Sequence, residues 1–142
     1  VNTPTPTQPP RGEVFYDAEC GVCSRGATRW GELFARRGFA WLPLQTPGTP
    51  ARTGASEAEL RAEMKLRLAD GRVVGGAAAW AILFRAVWWL WPLGVMIDLP
   101  DIRILSAAAY RWVARNRYCF GGACAVPGVV NHHRHAAFLE LP

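Results

Sequence analysis

The stretch that most constrains this chain is Val14-Phe15-Tyr16-Asp17-Ala18-Glu19-Cys20-Gly21-Val22-Cys23, an apolar run that stops at an aspartate and delivers two cysteines three residues apart. The run reads as a strand and the residues after it as a helix, so the Cys-x-x-Cys stands at a strand-to-helix junction. Unpaired backbone N–H groups and the helix dipole favour an anion at such a place, here the thiolate of Cys20. Cys20 is therefore the expected attacking sulfur. Cys23, one turn into the helix, is the expected resolving thiol, closing an intramolecular disulfide while the substrate leaves reduced.

The remaining pattern supplies an α/β frame for that junction. Ala27, Trp30, Leu33 and Phe34 fall on one helical face and Arg25, Arg29, Glu32 and Arg36 on the other, predicting a helix from Cys23 to Arg37 that ends at Gly38. Phe39 to Leu44 then reads as a strand parallel to Glu13–Asp17, and Pro43, lacking an N–H, puts it at an edge. Residues 45–55 read as loop. Ser56 and Glu59 form a capping-box signature for a short helix over 57–63, with Leu60 and Met64 turned inward. Leu66 and Leu68, the Asp70-Gly71 turn and Val73-Val74 predict a hairpin.

From Val73 to Ile97 the only charged residue is Arg85, a length that raises the question of a membrane span. The central arginine, the Pro92-Leu93-Gly94 break and the strand character of Val73-Val74 favour a buried helix over 77–90 instead. The Trp88-Trp89-x-Trp91 cluster reads as core, or, if exposed, as a homodimer or membrane-surface contact. Ile97 to Pro100 reads as a turn and Asp101 as the cap of a last helix with Ile102, Leu105, Ala109, Trp112 and Val113 on one face. Cys119 to Cys124 reads as a glycine-bearing loop. Residues 1–12 and 125–142 read as tails around one domain at 13–124.

Three stretches carry a family resemblance. Tyr16-Asp17-x-x-Cys20-x-x-Cys23, Gly71-Arg72-Val73-Val74-Gly75-Gly76-Ala77-Ala78 and Tyr110-x-x-Val113-Ala114-x-Asn116-Arg117 resemble the motifs of the DCC family of thiol-disulfide oxidoreductases, over roughly residues 13 to 124. The resemblance implies a thioredoxin-like fold, a mixed sheet flanked by helices with an extended helical C-terminal part, and dithiol chemistry on a protein or small-molecule disulfide with an external redox partner. One departure stands out. Thioredoxin-like enzymes place a cis-proline before the third strand, and here Met64 or Lys65 occupies that place. Gly75-Gly76 is similar to the turn where glutaredoxins hold a glutathione carboxylate, although glycine at a strand-to-helix turn also has a steric explanation.

Other readings of the same residues stay open. Cys20 and Cys23 are also a normal zinc half-site, completed by Cys119 and Cys124 or by His132, His133 or His135, which would make the chain a non-catalytic metal-binding or interaction module. The looser Cys-x4-Cys second half favours redox chemistry. Asp17 is either a proton-transfer group for Cys23, if burial raises its pKa, or a cap for N–H groups of the Cys loop. Cys119 and Cys124 are either a relay dithiol or inert thiols, the latter preferred because neither opens a helix. The dithiol chemistry requires no organic cofactor. A formal charge of +5, carried by scattered arginines with Lys65 the only lysine, comes without a basic run or a nucleic-acid motif, so nucleic acid is not an expected partner. The first ten residues have no signal-peptide pattern, and a cytoplasmic location is the default expectation.

Overall fold

The computed structural model describes residues 11–120. Strand β1 (Gly12–Tyr16) runs through the middle of a four-stranded sheet. It pairs in parallel with β2 (Phe39–Pro43), and the helix between them, α1 (Gly21–Ala35), makes the crossover. On its other side β1 pairs antiparallel with β3 (Lys65–Leu68), which turns at Asp70-Gly71 into β4 (Val73–Gly75). The spatial order β2-β1-β3-β4 leaves β2 at the edge, where the missing N–H of Pro43 costs no ladder bond. This is a thioredoxin-like α/β fold.

The core lies between one face of the sheet and two helices. Val14 and Leu66, opposite each other across β1 and β3, pack with Phe34 of α1 and with Ala79 and Leu83 of α4 (Gly76–Arg85). Trp41 lies over Gly31 of α1, where a Cβ would come within 3.7 Å of its ring, and Trp80 packs on Trp41 and Phe34. Phe15 faces the other side of the sheet, with the Arg52 guanidinium over its ring. Arg52 belongs to α2 (Thr49–Thr53), a short helix inside the stretch expected to be loop. The expected capping box is present in α3 (Glu57–Ala62), where Ser56 and Glu59 exchange hydrogen bonds.

The C-terminal third departs most from expectation. The helix expected over 77–90 ends at Arg85, and Pro92 opens a new helix, α5 (Trp91–Asp98), instead of simply breaking one. A proline in a first helical turn loses nothing, because its N–H would have had no partner. The expected turn over 97–100 shrinks to Leu99, and Pro100 begins α6 (Pro100–Phe120), with Asp101 in the first turn and not at the cap. Cys119 lies in α6 and not in a loop, whereas Cys124, the three histidines and residues 1–10 and 125–142 lie outside the described residues. No helix among the described residues is long and apolar enough to cross a membrane.

Candidate functional site

The site forms where β1 ends. Asp17 leaves the strand, its carbonyl accepts from the Cys20 N–H at 3.3 Å, and Gly21 begins α1 two residues earlier than the sequence predicts. Cys20 thereby becomes the N-cap itself, with its Sγ accepting from the Cys23 N–H at 3.3 Å, as a serine or aspartate oxygen does at an ordinary cap. A donor aimed at sulfur stabilises negative charge there. Both cysteines are reduced. Cys20 is 0% exposed, whereas Cys23 is half-buried, so the sulfur expected to attack is the hidden one.

Asp17 is 2% exposed and fully bonded. Its Oδ1 accepts from the Glu19 N–H and from Gln45 Nε2, both at 3.0 Å. Its Oδ2 accepts from the Tyr118 hydroxyl and lies 3.5 Å from the Arg117 guanidinium. Burial pushes the Asp17 carboxyl up, but the hydrogen bonds from Tyr118, Gln45 and Glu19, with the charge of Arg117, outweigh it and hold the group below its ordinary value. The condition for a near-neutral proton-transfer group is therefore not met. The bond to Glu19 does fit the alternative role of capping the Cys loop.

Arg117 and Tyr118 come from the far end of the chain. Arg117 is 5% exposed, and its Nη1 reaches to 3.6 Å from Cys23 Sγ while its Nη2 donates to the Arg61 carbonyl. Among the described residues its Nε has no hydrogen-bond partner. Burial, then the hydrogen bond with Cys20, push the Cys23 thiol up to about 12 against the downward pull of Arg117. Burial and the neighbouring Asp17 carboxylate raise the Tyr118 hydroxyl to about 12 as well, so it stays a donor. Glu19, whose charge would oppose a thiolate, is paired with Arg61 at 2.8 Å.

Tyr110, two helical turns before Arg117, accepts from the Met64 N–H at 3.1 Å. This is the place of the absent proline, and the N–H that a proline would lack is occupied. Tyr110 also walls an open cleft of about 300 Å³ that reaches Gly76 and Glu63. At that turn Gly76 has φ +58, and a Cβ on Gly75 or Gly76 would lie 2.3 or 2.6 Å from the Glu63 carboxylate. The place compared with a glutathione-carboxylate seat thus holds the chain's own carboxylate, itself paired with Lys65 at 2.6 Å.

Comparison with protein families gives a match to the model described as DCC1-like thiol-disulfide oxidoreductase, over residues 14–123. The chain belongs to the DCC1-like thiol-disulfide oxidoreductase family. The matched span takes in Cys20 and Cys23 and also Tyr110 and Arg117, and membership supports an oxidoreductase role toward thiols and disulfides in general. Neither a curated protein nor a solved structure matches the chain significantly.

Among the described residues no group of three or more His, Cys, Asp or Glu side chains is placed to hold a metal ion. The ligands proposed to complete a zinc site with Cys20 and Cys23 are, apart from Cys119, outside the described residues. Sequence reasoning located Cys20, Cys23 and Asp17 but gave Gln45, Tyr118 and the buried Arg117 no part in this site. The available signal was spacing: Tyr110, Ala114 and Arg117 share one helical face, and a tyrosine and an arginine on a face directed inward need polar partners there.

Proposed function

We propose that this chain is a thiol-disulfide oxidoreductase that cycles Cys20 and Cys23 between dithiol and disulfide, taking electrons from or giving them to an external thiol partner. The observation that carries the reading is the meeting of two reduced cysteines at the start of α1 with a buried arginine 3.6 Å from one of them. A cation beside the pair lowers the cost of a thiolate as nucleophile or leaving group. Asp17 is the third member of the site. Its ionised carboxylate anchors Arg117 and Tyr118, and its depressed basicity suits it to hold charge. The test is turnover of a protein disulfide with dithiothreitol as reductant, with and without a chelator. Cys20→Ser and Cys23→Ser should each abolish turnover and leave the melting temperature nearly unchanged. Unfolding or metal release on replacing Cys20 would instead favour the non-catalytic metal module.

A second element of the reading concerns the tryptophan face, which we propose rests on an anionic lipid surface. Trp88 is 83% exposed, and Trp89, Trp91, Ile104, Leu105 and Trp112 are exposed with it. Tryptophans favour the membrane interface, and Arg115, about one turn after Trp112 on α6, forms no ion pair among the described residues, whereas Asp98 is taken up by Arg85 at 2.7 Å. Pairing this face with a second copy would gather the arginines of both. Co-sedimentation should find binding to vesicles containing phosphatidylglycerol, weakened by salt, and none to phosphatidylcholine alone. Concentration-dependent dimers without vesicle binding would contradict it.

A further inference from the structure

We propose that the cleft between the start of α4 and the first half of α6 seats a carboxylate of the disulfide substrate, with Arg103 and Arg111 as the residues that select it. This rests on the dithiol reading above and narrows it to a substrate class, a short peptide disulfide that ends in a free carboxylate soon after its cysteine. The charges around the cleft decide the sign of the ligand. Glu63 and Asp98 line it, but each is taken up by a cation that does not, Glu63 by Lys65 at 2.6 Å and Asp98 by Arg85 at 2.7 Å. Arg103 and Arg111 line it too, and neither forms an ion pair among the described residues. Arg111 Nε donates to the Ala107 carbonyl at 3.2 Å, which steadies the side chain and leaves its Nη groups for a ligand. Paired N–H donors of this kind suit a carboxylate.

The shape suits a small anionic arm. Arg103, Ala107, Tyr110 and Arg111 fall on one face of α6, and the alanine between the two arginines leaves space that a longer side chain would fill. Another wall is the first turn of α4, where Ala77 and Ala78 are small as well and no side chain caps the helix. The positive end of its dipole adds to the pull of the arginines. A volume of about 300 Å³ lies at the lower end for small-molecule sites, with room for the end of a peptide and not for a folded chain.

The cleft also lies within reach of the dithiol. Tyr110 belongs to both places: it lines the cleft, its ring comes within 3.2 Å of where a Cβ of Gly76 would lie, and its hydroxyl holds the Met64 N–H. Burial raises that hydroxyl, and beneath burial the charges of Arg117, Glu63 and Cys23 all act on it. Arg117, 3.6 Å from Cys23, follows Arg111 on the same helix after a rise of about 9 Å. Two extended residues with a terminal carboxylate cover about that distance, at roughly 3.3 Å per residue.

The test oxidises the pre-reduced full chain with the symmetric disulfide of N-acetyl-Cys-Gly-Gly, as the free acid or as the terminal amide, and follows the Cys20–Cys23 disulfide by acid quench and peptide mapping. The acid should react about tenfold faster than the amide at low salt, and added salt should narrow the gap. Arg103→Met and Arg111→Met should each shrink it, as should Ala107→Phe, which fills the cleft without changing the charge. Arg36→Met, which removes an exposed cation at the far end of α1, should keep the preference for the acid. Equal rates for acid and amide in the unaltered chain, or a preference that Arg36→Met removes as fully as Arg111→Met does, would overturn the subsite and leave the oxidoreductase reading intact. The S-methylated acid cannot exchange and so separates the two claims: it should shift the amide NMR signals of Ala77 and Ala107, and the S-methylated amide should not. Signals indifferent to the acid would overturn the subsite whatever the dithiol does. Shifts in a chain whose Cys pair never oxidises would leave a carboxylate seat but remove the disulfide substrate from it, and the dithiol reading would fall.

Discussion

Helices α1 and α6 pack against each other, yet they are built in opposite senses. In α1 the apolar Phe34 is buried and Arg25, Arg29, Glu32 and Arg36 face water, the usual arrangement for a helix on a sheet. In α6 the residues turned inward include Tyr110, Arg117 and Tyr118, while Ile104, Leu105, Trp112, Val113 and Phe120 are exposed. A helix can bury a polar face only where partners wait for it, and α6 finds Asp17, the Arg61 carbonyl, Cys23 and the Met64 N–H. The difference teaches that α1 is held by apolar burial and that the inner face of α6 is held by the site it completes. Its outer face is apolar and exposed.

That contrast can be tested by substitution in each helix. Phe34→Ala should have the largest effect on stability, about 3–5 kcal/mol by denaturant unfolding, since it opens a cavity in the core beneath Trp41 and Trp80. A loss below about 1 kcal/mol would mean that α1 is not anchored as described. Arg117→Met should cost about 3 kcal/mol, because it removes the cation from a buried pair and leaves the Asp17 carboxylate with Tyr118, Gln45 and Glu19 alone. Unchanged stability would say that the inner face of α6 is not held through its polar contacts.

Asp17 gives the next effect. Its folded pKa lies below the unfolded one, so its stabilisation is present in full above the unfolded value, near pH 4, and is lost as pH falls through the folded value. Unfolding midpoints should therefore drop as pH falls below about 4, and Asp17→Asn should flatten that part of the profile. A profile identical in both chains would contradict the role given to this carboxylate. Smallest of all, Trp112→Ala on the outer face should change stability by no more than about 0.5 kcal/mol, yet weaken vesicle binding. A large loss of stability would show that this face is already covered.

The same contrast explains what was legible in the sequence. The strands, the Ser56–Glu59 capping box, the Asp70-Gly71 turn and the Cys-x-x-Cys junction are local features, written in neighbouring residues, and they stand where the sequence puts them to within a few positions. Apolar periodicity correctly finds two faces on the last helix but cannot say which is buried, and the usual assumption fails for α6 because its polar face has partners. Arg117 reaches Asp17 across a separation of 100 residues, a contact without a local signature. The start of α1 at Gly21 was hidden for another reason: cysteine is not among the usual capping residues, so the cap was sought elsewhere.

The most direct test of the central claim, a redox-active Cys20–Cys23 pair, is an equilibrium titration of the full chain in dithiothreitol redox buffers, read by peptide mapping. A Cys20–Cys23 disulfide should form in a single two-electron transition, with a slope of about 30 mV per tenfold change in ratio, and Arg117→Met should shift its midpoint. Cysteines that stay reduced across the whole range, or that pair only with Cys119 or Cys124, would contradict the account.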